Sequence, residues 1–148
     1  MSRAGLILIK EDKVALIERY RGGQHYFILP GGQIEENESP TQAVVREALE
    51  ELGLDVIPEK LVAVVTFFDS PQYYYQVTEK GGLFGAGKGP EMIGLYPDEN
   101  GTYCAIWKKI RELRSIDVRP APLIPLIEAA LHGVWPDEPL NFHETNQT

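Results

Sequence analysis

LPGGQIEENESPTQAVVREALEELGL, residues 29–54, is the part of this chain where local chemistry leaves least choice of structure. Pro30 ends the short strand-like run Tyr26–Leu29, and Gly31-Gly32 supplies a tight turn without side chains. Ser39 is a helix N-cap, Pro40 suits the first helical position, and Gln42 completes a capping box with Ser39. Gly53 stops the helix. Val44, Val45, Ala48, Leu49 and Leu52 fall within an arc of about 140°, which predicts the buried face. Glu47, Glu50 and Glu51 crowd the other side within about 100° of one another. Like charges at this spacing repel. A hard cation such as magnesium turns that repulsion into ligation, since it favours carboxylate oxygens and substrate phosphates. Ala43, projecting near the patch, is expected to leave room for ions, and Arg46 to reach Glu38 or Glu50. The competing reading of the same glutamates is a solvated helix face.

Outward from this helix the chain reads as strands. Leu6–Lys10 and Val14–Glu18 are apolar runs divided by Glu11-Asp12-Lys13, predicting a hairpin or two neighbouring strands. Tyr20–Gln24 reads as a loop. Beyond the helix, Leu61–Phe68, Tyr73–Thr78 and Thr102–Ile110 are strand-like, with Cys104 and Trp107 expected inside. A last helix, punctuated by Pro120, Pro122 and Pro125, is predicted to end near His132-Gly133. Residues 137–148 read as a polar, frayed tail after a single domain over 1–136. Strands, a central helix, more strands and a late helix predict an α/β fold, a mixed sheet with helices on its faces.

Whole-chain properties narrow the function classes. A length of 148 residues, 43% of them hydrophobic, suits one domain with its own core. One cysteine excludes an intramolecular disulfide and a four-cysteine zinc site. The formal charge of −8 argues against duplex nucleic acid as a partner. It leaves room for a small phosphorylated ligand whose charge is met by metal. No run is long and apolar enough for a membrane span or signal peptide, so a cytoplasmic location is expected.

The segment Gly32, Glu38, Arg46, Glu47, Ala48, Glu50, Glu51, Gly53 and Leu54 resembles the signature of the Nudix hydrolase family at every fixed position over 23 residues. The signature is glycine, five residues, glutamate, seven residues, then Arg-Glu-hydrophobic-x-Glu-Glu-x-Gly-hydrophobic. The resemblance implies an α/β/α sandwich with a mixed sheet. It also implies hydrolysis of a nucleoside diphosphate linked to another moiety, as in the MutT and ADP-ribose pyrophosphatase types. By position it makes Glu47, Glu50 and Glu51 metal ligands, with the Gly31 carbonyl as a further one. The metal would be magnesium or manganese, more than one ion per site. Glu38 would contact Arg46 and hold the carboxylates in orientation. Asn37 stands where the family often has glycine, and asparagine tolerates the left-handed turn that position needs. A homodimer is common in the family and is expected here without a locatable interface.

Other assignments come from residue chemistry. The general base stays open between Glu47 and the more distant Glu91, followed by Glu99. Arg19 and Arg21 flank the early loop and suit a terminal phosphate. Of the middle aromatics, Phe68 and Tyr74 are the candidates for stacking on a base. Gly82–Gly89 resembles a nucleotide-binding phosphate loop, but Gly89 stands where serine or threonine should bind magnesium, and Pro90 interrupts any following helix. A flexible loop at the site entrance is expected instead, with Lys88 near phosphate. His25, His132 and His143 lack metal-ligand spacing, and Trp107 and Trp135 read as packing residues. Substrates left open are ADP-ribose or another nucleotide sugar and a nucleoside triphosphate. A capped RNA is disfavoured by the lack of a basic patch. The alternative from another class is a non-catalytic nucleotide sensor or interaction domain on the same scaffold.

Overall fold

The computed structural model describes residues 1–89 and 101–145. The strands form two mixed sheets rather than one. In the first, β10 (Leu140–Glu144), β6 (Leu54–Phe67), β7 (Ser70–Gly82), β1 (Arg3–Ile7) and β5 (Gly31–Gln33) lie side by side in that order. β1 runs parallel to β7 and antiparallel to β5, and β10 runs parallel to β6. In the second, β3 (Lys13–Arg21) is central. It pairs with β8 (Thr102–Lys109) on one side and with β2 (Ile9–Lys10) and β4 (Gln24–Ile28) on the other. β9 (Val118–Arg119) extends β4. The hairpin expected between Leu6–Lys10 and Val14–Glu18 is therefore short: only Ile9-Lys10 pairs with β3, and β1 belongs to the other sheet.

Two apolar cores explain why the early strands read as continuous hydrophobic runs. Ile7, Val14 and Leu16 join one core with Phe27, Val65 and Ile127 of α2 (Ile124–Leu131). Their neighbours Leu6, Ala15 and Ile17 join the other with Val44, Ala48 and Leu52 of α1 (Pro40–Leu52). Strands buried on both faces cannot alternate with polar residues. Helices on opposite sides of the sheets give the α/β/α layering. No helix among the described residues is long and apolar enough to cross a membrane.

α1 forms as its sequence dictates. Ser39 Oγ accepts from the Gln42 amide at 3.1 Å, and Gln42 Oε1 accepts from the Ser39 amide at 2.8 Å. Such a cap contributes about 1 kcal/mol. Gly53 ends the helix with φ 77°. The buried face, however, is turned from the expected one. Ala43, Glu47 and Glu51 are buried with Val44, Ala48 and Leu52, while Leu49 is 58% exposed. Leu49 lies roughly 60° beyond Leu52 at 100° per residue. The cause is β5, which packs along the carboxylate side of the helix and claims that side for the interior. Ala43 is core, with no exposed surface beside the carboxylates.

Three further expectations are corrected. Cys104 is exposed: it pairs with Glu18 of β3, on the face of the second sheet that carries Tyr20 of β3 and His25 of β4. The glycine-rich loop is not a free entrance loop. Amides of Leu83, Gly85 and Gly89 donate to the carbonyls of Gly53, Leu52 and Glu50 at 3.1, 2.9 and 3.0 Å, capping the end of α1. Those amides are spent on the helix and cannot cradle phosphate. The polar tail does not simply fray: residues 140–144 pair with β6, and Phe142 packs against the first core. Trp107 and Trp135 pack against the two cores as expected.

Candidate functional site

The turn from β4 into β5, the loop before α1 and the later turns of α1 bring the signature side chains together. Arg46 is the hub. Its Nε and Nη2 grip Glu38 Oε2 and Oε1 at 2.8 and 3.0 Å. Its Nη1 donates to Glu47 Oε1 at 2.9 Å and Glu50 Oε2 at 3.2 Å. Glu35 Oε1 lies 3.0 Å from Nε, and the Gln33 carbonyl accepts from Nη2 at 3.0 Å. One guanidinium thus contacts four carboxylates and leaves the cluster net negative, using the planar fork that lysine lacks. The hydrogen bond from Arg46 holds the Glu38 carboxyl below its ordinary value. The same pairing raises Arg46. Asn37 is left-handed, with φ 64°, so the loop closes around Glu38 as the sequence requires.

Glu47 and Glu51 are only 9% and 5% exposed, and both face the turn. The Gly31 amide donates to Glu51 Oε1 at 2.7 Å. A Cβ on Gly32 would overlap the Glu47 carboxylate, so glycine there is what admits the glutamate. These carboxylates form one wall of a cleft of about 1030 Å³.

The facing wall is built from a ladder of planar side chains, one from each strand of β8, β3, β4 and β9. Arg19 stacks on Tyr103 at 3.6 Å and lies 5.7 Å from the Tyr26 ring. Arg119 covers Tyr26 from the other direction at 4.0 Å. Register explains the order, because Arg19 pairs across with both Tyr103 and Tyr26. Arg19 Nε donates to the Thr102 carbonyl at 3.0 Å. Arg119 is fixed by Asp117 through two bonds of 3.1 and 2.9 Å, and these hold the Asp117 carboxyl below its ordinary value. Arg3, Arg19, Arg21, Arg46 and Arg119, five of the seven arginines of the chain, line the cleft, and none of the seven lysines does.

A family model described as the Nudix domain matches residues 1–125. The chain belongs to the Nudix family. An 8-oxo-dGTP diphosphatase of Proteus vulgaris is 34% identical over 94 residues, covering 53% of this chain and 82% of that one. A MutT protein of Bacillus halodurans superposes with a TM-score of 0.69 at 23% identity, covering 97% of this chain and 90% of that one. An ADP-ribose pyrophosphatase of Streptococcus suis superposes with a TM-score of 0.66 at 18% identity, over 97% and 98% of the two chains. At these identities the two structures share the fold.

Within this Nudix scaffold, Gly31, Glu38, Arg46, Glu47, Glu50 and Glu51 are gathered at one wall, and Arg19, Arg21 and Tyr74 line the same cleft. Phe68 is not brought there: it is the left-handed turn residue between β6 and β7 and is 73% exposed. Lys88 is exposed in the loop that caps α1 and does not line the cleft. Glu91 and Glu99 lie outside the described residues. The sequence reading did not find Tyr26, Tyr103, Arg119, Arg3 or Gln72. No local motif marks them; only strand register assembles them.

The donor set suits a hard divalent cation, being carboxylate oxygen from successive turns of one helix. Among the described residues no three acidic, histidine or cysteine side chains are drawn tightly enough to hold an ion as they stand. Arg46 is the reason: it holds Glu47 and Glu50 on its guanidinium, while Glu51 is turned to the Gly31 amide. Rotation of Glu47 and Glu50 away from Arg46, which keeps its bidentate hold on Glu38, would open them to an ion.

Proposed function

We propose that this Nudix-family hydrolase cleaves a phosphoanhydride bond in a nucleoside diphosphate linked to another moiety, with magnesium or manganese as cofactor. The observation that carries the reading is the division of one cleft into an acidic helical wall and an arginine–tyrosine wall. A diphosphate has to be met by metal on one side and held by fixed donors on the other. Glu47, Glu50 and Glu51 are the residues that would hold the metal, with the Gly31 carbonyl as a further ligand. Bound there, it supplies charge neutralisation on the phosphate oxygens and polarisation of a water. Arg46 and Glu38 orient the carboxylates, a role that tunes metal affinity. Glu47 or Glu91 takes the proton of the attacking water. That water forms a new P–O bond in line with the bridging oxygen, which leaves on the departing phosphate. Arg19 and Arg21 offer fixed positive charge to the phosphates as the leaving group develops.

The Proteus vulgaris relative supports a nucleoside triphosphate substrate, and the Streptococcus suis structure shares its fold with an enzyme named for ADP-ribose. Product-resolved hydrolysis of nucleoside triphosphates, ADP-ribose and nucleotide sugars, with magnesium, manganese or chelator, tests the reading. Metal-dependent release of a nucleoside monophosphate supports it; pyrophosphate as the second product identifies a triphosphate, and a sugar phosphate identifies a nucleotide sugar. Absence of turnover by folded protein with either metal would leave the second reading, a nucleotide-binding module on a Nudix scaffold.

A further inference from the structure

Gln72 is only 4% exposed, yet it lines the cleft. The Tyr74 hydroxyl donates to its Oε1 at 2.9 Å. The direction of that bond follows from burial. Tyr74 is enclosed, burial raises its phenol far above the ordinary value, and it stays a neutral donor at any working pH. Accepting instead from the Gln72 amide nitrogen would strand a buried hydroxyl proton without a partner. Gly5 fixes the ring: a Cβ there would come within 2.6 Å of Tyr74 Cε1.

The consequence falls on the other end of the amide. Gln72 Nε2 makes no hydrogen bond among the described residues, and no sealed side-chain nitrogen or oxygen among them lacks a partner. The Nε2 group is therefore reached from the cleft and presents its two N–H donors there. Arg3, the register partner of Gln72 on β1, lines the same part of the cleft and also carries donors alone.

We infer that Gln72 is a specificity-determining residue that reads the carbonyl edge of a nucleobase, and that Tyr74 is the positioning residue that turns its amide to do so. The inference rests on the proposed reading of the cleft as a nucleotide site. A nearly buried, neutral amide beside an aromatic ring suits a neutral planar group, whereas a phosphate there would lose its water for a single neighbouring guanidinium. A base with oxygen at the read position gains a hydrogen bond. One with an exocyclic amino group sets donor against donor and leaves both unpaired.

Calorimetric binding of IMP against AMP, and of UMP against CMP, to the full chain isolates the carbonyl-for-amino exchange without requiring turnover. Binding of IMP about tenfold tighter than AMP is expected, with the same sense for UMP over CMP. In Tyr74→Phe the amide is released, and the ratio falls towards one. In Gln72→Glu the cleft-facing group becomes an acceptor, and the preference is lost or inverted. Circular dichroism establishes that each variant is folded, and Tyr74→Phe alone decides the matter if Gln72→Glu is not. A wild-type ratio of one, whether both nucleotides bind or neither does, would overturn the inference. So would an unchanged ratio in Tyr74→Phe, or a Gln72→Glu effect that follows ITP against IDP and ignores the base. Metal-dependent hydrolysis is measured on the same preparation: if it persists while the ratio is one, only the base-reading role fails, and if it is absent, the reading of the cleft fails first.

Discussion

The two walls of the cleft are built in opposite ways. The acidic wall comes from one turn, one loop and one helix, residues 31–51, with Glu38, Glu47 and Glu50 held through a single guanidinium and Glu51 by the Gly31 amide. The ladder wall comes from four strands and draws on residues as distant as Arg19 and Arg119, held by stacking and cross-strand register. Hydrogen bonds among neighbours in sequence fix most of the first, with β5, held against β1, supplying its remaining contacts. The second exists only when β8, β3, β4 and β9 are all in place. In the proposed reading, the metal-holding carboxylates belong to the local wall, and recognition of a planar or phosphorylated substrate to the assembled one.

The sharpest way to test this division is Glu51→Gln, which keeps an acceptor for the Gly31 amide and removes the charge. We expect kcat to fall by about 100- to 1000-fold, with little change in KM, in steady-state hydrolysis at saturating metal. Gly32→Ala strikes the same wall through shape: the added methyl must displace the Glu47 carboxylate. Activity should drop about tenfold or more, and thermal unfolding should show about 1–3 kcal/mol of lost stability. On the ladder wall, Arg19→Lys keeps the charge and loses the plane stacked on Tyr103. Its expected signature is the reverse, KM raised about five- to tenfold with kcat within a factor of two. An equal fall of kcat in Arg19→Lys would erase the distinction between the walls.

The smallest effect is one of pH. Arg46 holds the Glu38 carboxyl below its ordinary 4.5, so the pair contributes its full stability above that value. The contribution fades as pH falls through the lowered value. The melting temperature of Glu38→Gln should therefore lie below that of the wild type at neutral pH, by an amount corresponding to about 1 kcal/mol or less. The two should converge in acid. A gap that persists at low pH would mean that Glu38 acts by packing alone.

The same contrast governs how much could be read from the sequence. Ser39, Pro40, Gln42 and Gly53 mark the bounds of α1 by local chemistry, and Arg46 with its glutamates follows from helical spacing. The rotation of α1 that exposes Leu49 was not legible, because it depends on β5 packing along the helix, and β5 is placed by pairing with the distant β1. Tyr26, Tyr103 and Arg119 carry no motif. Each is an ordinary strand residue until the register of three other strands is known. Phe68 illustrates the converse: an aromatic among aromatics is assigned to binding by composition, yet a tight turn between β6 and β7 directs it to solvent.

β10 carries a consequence for how the chain comes into being. It joins β6 in parallel, Leu140 opposite Ala63, across a separation far greater than that of the β6–β7 hairpin. During synthesis, that flank of β6 stays bare until residues beyond 140 have left the ribosome. A bare strand flank is a template for any neighbouring chain. The closing strand thus acts as a guard that arrives last, so nascent or truncated chains should be more prone to cluster on polysomes than the finished protein is in solution.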